Sequence, residues 1–368
     1  MNKKKGYLIL ENGKVFEGFF AGAEKDVSGE VVFSTGMVGY PESLTDPSYK
    51  GQILVFTYPM IGNYGFPKKR DDVLSGSLES KEIQVSALVL SDTYDHESHW
   101  EANESLVCRL KKDNVPALAG IDTRTLTKII RKSGVMKGII SQQKPTASRL
   151  FLSDEKVNPV DQVSCKEKRV YGSGKIHILL IDCGVKYNIL RSLINLGVKV
   201  TRIPWDQDPF DGNSLYDGVI ISNGPGDPKD VKETINTVST AMDKKIPILG
   251  ICLGNQILSL AAGGDTYKLK YGHRGQNQPV KDVTSGKCYI TTQNHGYAVK
   301  EDDIPKGFEP WFINLNDQTN EGIRHKTLPF YSVQFHPEAC PGPTDTSWVF
   351  DFFISGVNRW KRKNQLKY

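Results

Sequence analysis

The sequence predicts an α/β protein. It reads as a carboxy-terminal domain with a central, mostly parallel sheet flanked by helices, preceded by a mixed α/β, strand-rich amino-terminal domain. Three observations carry this. From residue 176 onward, apolar runs of the kind that form strands buried on both faces alternate with segments of helical spacing. Before residue 150, short β-branched and aromatic runs are broken by Gly, Pro and Asp. The length of 368 residues suits two domains, each able to bury its own core.

In the first half, Gly6 to Leu10, Val31 to Ser34, Ile53 to Tyr58 and Ile83 to Leu90 read as strands. One helix is clear: Asp122 or Thr123 caps a run in which Leu126, Ile129 and Ile130 recur at helical spacing, and Gly134 stops it. The polar stretch from Ser153 to Gly174 has neither period and reads as a linker. The second half opens with the strand Ile176 to Asp182. A helix from Tyr187 to Leu196, a strand from Val198 to Ile203 and another from Val219 to Ser222 follow. A helix from about Asp230 to Met242 and a strand from Pro247 to Cys252 complete the alternation. Such crossovers are right-handed, and the sheet they build places its site at the carboxyl ends of the strands. The expected boundaries are 1–152 for the first domain, 153–174 for the linker, 175–360 for the second domain and 361–368 for a basic tail.

Composition excludes several classes. The net charge of +5 is small for the length, and the basic clusters Lys3 to Lys5 and Arg359 to Lys363 read as solvated termini, so no nucleic-acid partner is expected. No segment approaches the ~20 apolar residues of a membrane span, and no signal-type apolar core follows Met1 to Gly6; a cytoplasmic protein without membrane contact is expected. The six cysteines form no CxxC pair and read as reduced thiols. His273 and His295 have no partner at metal-ligand spacing and are taken as structural, so no metal is expected. Cys183, Cys288 and Cys340 are taken as packing residues.

Three segments carry chemistry. Gly250-Ile251-Cys252-Leu253-Gly254 closes a buried-type strand and opens the helix Asn255 to Ala262, as in a nucleophile elbow. The bend lifts the central side chain above the sheet and aims N–H groups and the helix dipole at it, which favours a thiolate. A buried cysteine at a strand end would give the same local pattern, so the reading depends on its company. Phe335-His336-Pro337-Glu338 follows the strand-like Phe330 to Gln334, and residues two apart in extended chain face one side. His336 and Glu338 therefore offer the base and orienter of a nucleophilic triad, whereas in isolation they would read as a surface turn. Ser222-Asn223-Gly224-Pro225-Gly226-Asp227-Pro228 places bare backbone at a strand's carboxyl end, suited to an oxyanion or a polar head group.

Together these segments resemble the class I, triad-type glutamine amidotransferase domain, which residues 176 to about 358 fit throughout. The more specific resemblance is to the small-chain family of carbamoyl-phosphate synthetase. It rests on Asp182 to Arg191 (DCGVKYNILR), Lys270 to Val280 (KYGHRGQNQPV) and Gln293 to Tyr297 (QNHGY). In the first half it rests on Ser34 to Tyr40 (STGMVGY), Leu44 to Tyr49 (LTDPSY), Tyr58 to Asn63 (YPMIGN) and Gly120 to Arg124 (GIDTR). The amino-terminal half is what separates this family from other amidotransferases.

The resemblance implies Cys252 as nucleophile, His336 as base and then acid, and Glu338 as orienter of His336. It implies Gly224 and Leu253 as oxyanion donors, and Ser48, Gly226, Gln256, Asn294, Gly296 and Tyr297 as residues that hold L-glutamine. Two positions depart from the family's habit: Asn255 stands where many members have His, and Tyr297 where Phe is frequent. Both are expected to tune packing. The resemblance also implies a large synthetase subunit as partner, carrying ATP and Mg and consuming bicarbonate, in the service of arginine and pyrimidine synthesis. No cofactor is expected in this chain: there is no G-x-x-x-x-G-K-[ST] loop, and Gly172-Ser173-Gly174-Lys175 is too short to be one. Competing readings are a glutaminase subunit for another synthetase, such as one making anthranilate or GMP, a non-catalytic docking or regulatory scaffold, and a free-standing hydrolase.

Overall fold

The computed structural model describes residues 4–68, 72–74, 76–94, 96–144, 157–210 and 215–365, with side chains to 363. The chain divides into two compact units, Met1–Val157 and Asn158–Tyr368.

The first unit carries strands β1 (Lys5–Leu10), β2 (Val15–Phe20), β3 (Val27–Ser34), β4 (Gln52–Phe56), β5 (Phe66–Pro67), β6 (Ala87–Val89), β7 (Ala102–Glu104), β8 (Ala117–Ala119) and β9 (Met136–Ser141). Seven of them close into a barrel in the order β1-β2-β8-β6-β4-β3-β9, while β5 and β7 pair separately. Closure leaves no sheet edge to aggregate. Strands β3, β4, β6 and β8 run parallel, and parallel neighbours need crossovers. Helices α1 (Tyr40–Thr45) and α2 (Leu106–Lys112) lie in them. Helix α3 (Thr123–Ser133) begins where the sequence expects, with the Asp122 carboxylate accepting from the Thr125 N–H at 2.9 Å, and buries Leu126 and Ile130.

In the second unit ten strands form one sheet: β10 (Arg169–Tyr171), β11 (His177–Asp182), β12 (Lys199–Pro204), β13 (Gly218–Ile221), β14 (Ile248–Ile251), β15 (Thr266–Asp282), β16 (Cys288–Val299), β17 (Phe308–Asn314), β18 (Asn320–His325) and β19 (Phe330–Val333). Their order is β10-β12-β11-β13-β14-β19-β18-β17-β15-β16. The five strands β12-β11-β13-β14-β19 are parallel, and Ile178, Leu179, Leu180 and Ile181 of β11 are wholly buried, as a strand covered on both faces requires. The covering helices are α4 (Pro159–Val163), α5 (Tyr187–Asn195), α6 (Lys232–Asp243), α7 (Leu253–Ala261) and α8 (Trp348–Gln365). Residues 266–325 add four antiparallel strands that the sequence reading did not resolve.

Strand order reverses after β11: β12 lies on one side of it and β13 on the other. At such a switch the loops leaving neighbouring strands diverge and open a crevice. The loops after β11, β13 and β14 all end there.

Two boundaries need correction. The stretch 153–174, expected as a linker, is built structure from residue 158. Asn158 caps α4 by accepting from the Val160 N–H at 3.0 Å, Val160 is 1% exposed in the core, and β10 pairs with β12. One apolar anchor in polar surroundings is enough to dock it. Residues 153–156, and the boundary placed at 152, lie outside the described residues, as does Lys3 of the first basic cluster. The expected tail 361–368 continues α8 to Gln365, with Lys361 paired to Asp217 at 2.8 Å; 366–368 lie outside. Among the described residues no helix is long and apolar enough to cross a membrane.

Candidate functional site

The glycines of the elbow are dictated by close approach. A Cβ on Gly250 would stand 2.3 Å from the Gly254 carbonyl oxygen, and one on Gly254 would stand 2.3 Å from that of Ile221. Between β14 and α7, Cys252 adopts φ 54°, ψ −101°. A non-glycine residue there costs about 1–3 kcal/mol and persists only where its surroundings enforce it. Here the Cys252 N–H donates to the Val333 carbonyl at 2.8 Å, and the Asn255 N–H to the Cys252 carbonyl at 3.0 Å. The thiol is buried, 3.7 Å from the Asn294 carbonyl that accepts from it and 3.7 Å from the Gln334 amide that donates to it.

His336 lies just past the end of β19, and its N–H donates to the Thr292 carbonyl of β16 at 2.9 Å. Its Nδ1 meets Glu338 Oε1 at 2.7 Å. Nε2 is buried without a well-aligned acceptor, and its electrostatic partner on that side is the Cys252 sulfur. Burial opposes a charge on His336, but Glu338 and Cys252 outweigh it and raise its pKa. Burial likewise opposes a charge on Glu338, and here Lys186 and then His336 prevail, holding the carboxyl well below the usual range.

Lys186, behind the triad, is a residue that the sequence reading missed. It is 2% exposed, its Nζ lies 3.0 Å from Glu338 Oε1, and it donates to the Ala339 carbonyl at 2.5 Å. Its N–H donates to Asn223 Oδ1 at 3.0 Å, tying the loop after β11 to the loop after β13. The Asn188 amide donates to the Glu338 carbonyl. The signal was present in the segment from Asp182 to Arg191, but a lone lysine reads as surface until its partner 152 positions away is known.

The remaining candidates are distributed as follows. Gly224 lies against the elbow: a Cβ there would be 2.1 Å from the Cys183 carbonyl oxygen and 2.9 Å from Leu253 Cδ2. Gly226 (φ 90°) backs onto Pro159 of α4. Gln256 donates to the Tyr297 carbonyl at 2.9 Å and to Gln334 Oε1 at 3.1 Å, joining α7 to β16, the strand that carries Asn294, Gly296 and Tyr297. Ser48 belongs to the first unit, buried in the 3₁₀ turn Pro47–Tyr49 with its N–H on Asp46 Oδ1 at 2.9 Å. Asn255 is fully buried, donating to Gln334 Oε1 at 3.0 Å and accepting from Ser332 at 2.7 Å. Cys183 is a packing residue whose thiol burial pushes up. Cys288, expected to pack, is instead exposed at the start of β16.

His273 and His295, unpaired in the sequence, stand directly opposite each other in the β15–β16 register. Glu321 of β18 completes a buried cluster with them.

Two family models match the chain. Residues 179–355 match glutamine amidotransferase class-I, and residues 8–140 match the carbamoyl-phosphate synthase small chain, CPSase domain. The chain is 47% identical over 362 residues to the carbamoyl phosphate synthase small chain of Pyrococcus furiosus, covering 95% of this chain and 97% of that one. It is 46% identical over 367 residues to the carbamoyl phosphate synthase arginine-specific small chain of Neurospora crassa, covering 98% and 81%. It is also 51% identical over 353 residues to the multifunctional protein CAD of Squalus acanthias, covering 94% of this chain but 16% of that protein, so it spans about a sixth of that relative's length.

Proposed function

The chain belongs to the carbamoyl-phosphate synthase small-chain family, and from that premise we propose that it is the glutaminase subunit of a glutamine-dependent carbamoyl-phosphate synthetase. The observation that carries the reading is a thiol held at a strained elbow beside a buried His336–Glu338 pair.

The Cys252 sulfur attacks the side-chain amide carbon of L-glutamine while His336 takes the thiol proton. The oxyanion is received by the N–H groups of Gly224 and Leu253, each such donor being worth about 3–4 kcal/mol in related chemistry. The C–N bond breaks, His336 returns its proton to the leaving nitrogen, and ammonia departs. His336 then draws a proton from water, whose oxygen attacks the thioester carbon; the C–S bond breaks, releasing glutamate and the Cys252 thiol. Gln256 has both amide protons engaged, so it offers glutamine its carbonyl oxygen. Asn294, Gly296, Tyr297 and Gly226 complete the pocket in this reading; the role of Ser48 rests on the family resemblance. Ammonia passes to a large synthetase subunit that carries ATP and Mg and consumes bicarbonate, and this chain requires no cofactor of its own.

The test pairs this chain with its synthetase partner. Cys252→Ser should abolish glutamine-dependent carbamoyl phosphate synthesis and spare synthesis from added ammonia. Equal loss of both would refute the donor assignment.

A further inference from the structure

The antiparallel half of the second unit contains a second buried charge cluster that the proposed chemistry does not use. His273, on β15, donates from Nε2 to Asp317 Oδ2 at 2.8 Å, and its Nδ1 lies 3.2 Å from Glu321 Oε1. Glu321 is wholly buried and accepts from the Asn314 amide at 3.0 Å, with the Gln293 side chain as a further donor; burial pushes its carboxyl up, and His273 works against that. A buried carboxylate of this kind needs a cation beside it, and His273 is the one placed to serve. Burial works against a charge on His273, but the two carboxylates prevail and raise it to about 9.

Next to this pair stands His295, its ring at 89° to that of His273 with centroids 4.9 Å apart. Its Nδ1 is 2.8 Å from the Tyr297 carbonyl, and its Nε2 lies 3.2 Å from Gln293 Oε1 and 4.0 Å from Glu321 Oε1. Burial, then the nearby His273 charge, opposes a charge on His295. The ring therefore bridges the Gln293 side chain and the Tyr297 backbone, with Glu321 just beyond. The same Tyr297 carbonyl also accepts from Gln256, and the adjoining Asn294 carbonyl accepts from the Cys252 thiol. The Glu321 N–H and carbonyl lie on β18, and that carbonyl accepts from the Gln334 N–H at 2.9 Å beside the same sulfur.

We propose that His273 and Glu321 are positioning residues for glutamine binding: a charge pair that keeps the His295 ring seated between Gln293 and Tyr297 and so fixes the Asn294–Tyr297 segment. Without His273, Glu321 has no cation, and the nearest group able to supply one is His295. A proton arriving on His295 would draw Nε2 from Gln293 Oε1 toward Glu321 Oε1, now 4.0 Å away, and pull the ring from its place on the Tyr297 carbonyl. Without Glu321, a charged His273 is left facing His295 with Asp317 alone opposite. Removing both charges together removes the conflict. The pocket is loosened by either single change, whereas the thiol, His336 and Glu338 stay in place, so the loss falls on binding.

This inference rests on the glutaminase reading, and one experiment separates the two. The full chain is assembled with its synthetase partner, and glutamine- and ammonia-dependent synthesis are measured for wild type, His273→Gln, Glu321→Gln and the double variant. Each single variant should raise the KM for glutamine by about tenfold or more, with much less change in kcat. The double variant should return KM to within about threefold of wild type, a coupling that independent structural damage would not produce. Ammonia-dependent rates should stay unchanged. Should the single variants fail to melt cooperatively, Asp317→Asn, which removes the partly exposed partner of His273, should still raise KM. A wild type without glutamine-dependent synthesis would sink the glutaminase reading. Wild-type activity with KM unmoved in the variants, or additive loss in the double variant, overturns the inference alone. So does stoichiometric metal in the purified protein that the single variants lose, since the cluster would then be a metal site.

Discussion

Lys186→Met isolates the cation that stands behind the triad. Lys186 Nζ is 3.0 Å from Glu338 Oε1, and both side chains are essentially inaccessible. At an effective dielectric of about 20, a pair at that distance attracts by roughly 5.5 kcal/mol. Desolvation of the ammonium offsets part of this, and breaking a buried pair by removing one partner typically costs about 3–5 kcal/mol. Because His336 remains 2.7 Å from the same carboxylate, the lower end applies, about 3 kcal/mol. For a unit of this size that lowers the melting temperature by on the order of 6–12 °C. The pH dependence has a definite sign. Glu338 titrates below its ordinary value of 4.5 in the folded protein, chiefly through Lys186 once burial is overcome. Its contribution is therefore present above that ordinary value and lost as pH falls through the folded value. Removing Lys186 lifts the folded value, so the acid limb of kcat/KM for glutamine should move to higher pH. Differential scanning calorimetry and a pH series on the assembled enzyme measure both. A variant that melts with wild type and keeps its acid limb would refute the claim that Lys186 holds Glu338 ionised.

Two further substitutions probe the elbow and its approach. Gly254→Ala places a Cβ 2.3 Å from the Ile221 carbonyl oxygen, so backbone must shift; glutamine hydrolysis should fall by at least about tenfold, since small displacements of a nucleophile cost that much, while ammonia-dependent synthesis persists. Asp182→Ala leaves Arg202, whose NH2 lies 2.6 Å from the carboxylate, buried and unpaired, and strips the Gly184 and Val185 N–H groups of their acceptor. It should destabilise the second unit by about 3–5 kcal/mol, read from urea unfolding.

The parallel core was legible because its signals are local. Strands β11, β13 and β14 are near-continuous apolar runs, and the elbow's glycines reflect contacts made within a few residues or with the next strand. Helix α3 was found from its cap and its period. The antiparallel half was obscure for a physical reason. β15 is seventeen residues long, mostly polar on its buried side, and its register with β16 slips between Lys268 and His273 and again between Gly275 and Gln278. No period of two survives such bulges. The barrel strand β8, three residues long, is too short to show a period at all, whereas the equally short β6 was caught within the longer run Ile83 to Leu90. Lys186 and Glu321 escaped notice for a different reason. Each is an ordinary charged residue whose meaning depends on a partner far along the chain.

The two histidines nearest Cys252 show how the halves divide the work. Both are buried, yet their environments push them in opposite directions: His336 toward its charged form by Glu338 and Cys252, His295 toward neutrality by burial and the His273 charge. Groups driven apart in this way carry different tasks. A histidine that must take and return a proton needs a carboxylate whose own charge is secured, which is the service Lys186 gives Glu338. A histidine that must hold a carbonyl in place needs a fixed seat, which the Gln293 side chain and the edge-packed His273 ring provide for His295. The parallel half supplies the first arrangement and the antiparallel half the second. The His336 N–H on the Thr292 carbonyl and the Gln334 N–H on the Glu321 carbonyl join them, registering the end of β19 against both β16 and β18. In the proposed reading the triad cleaves the bond, and the placing of glutamine draws on a charge pair that contributes no reacting atom.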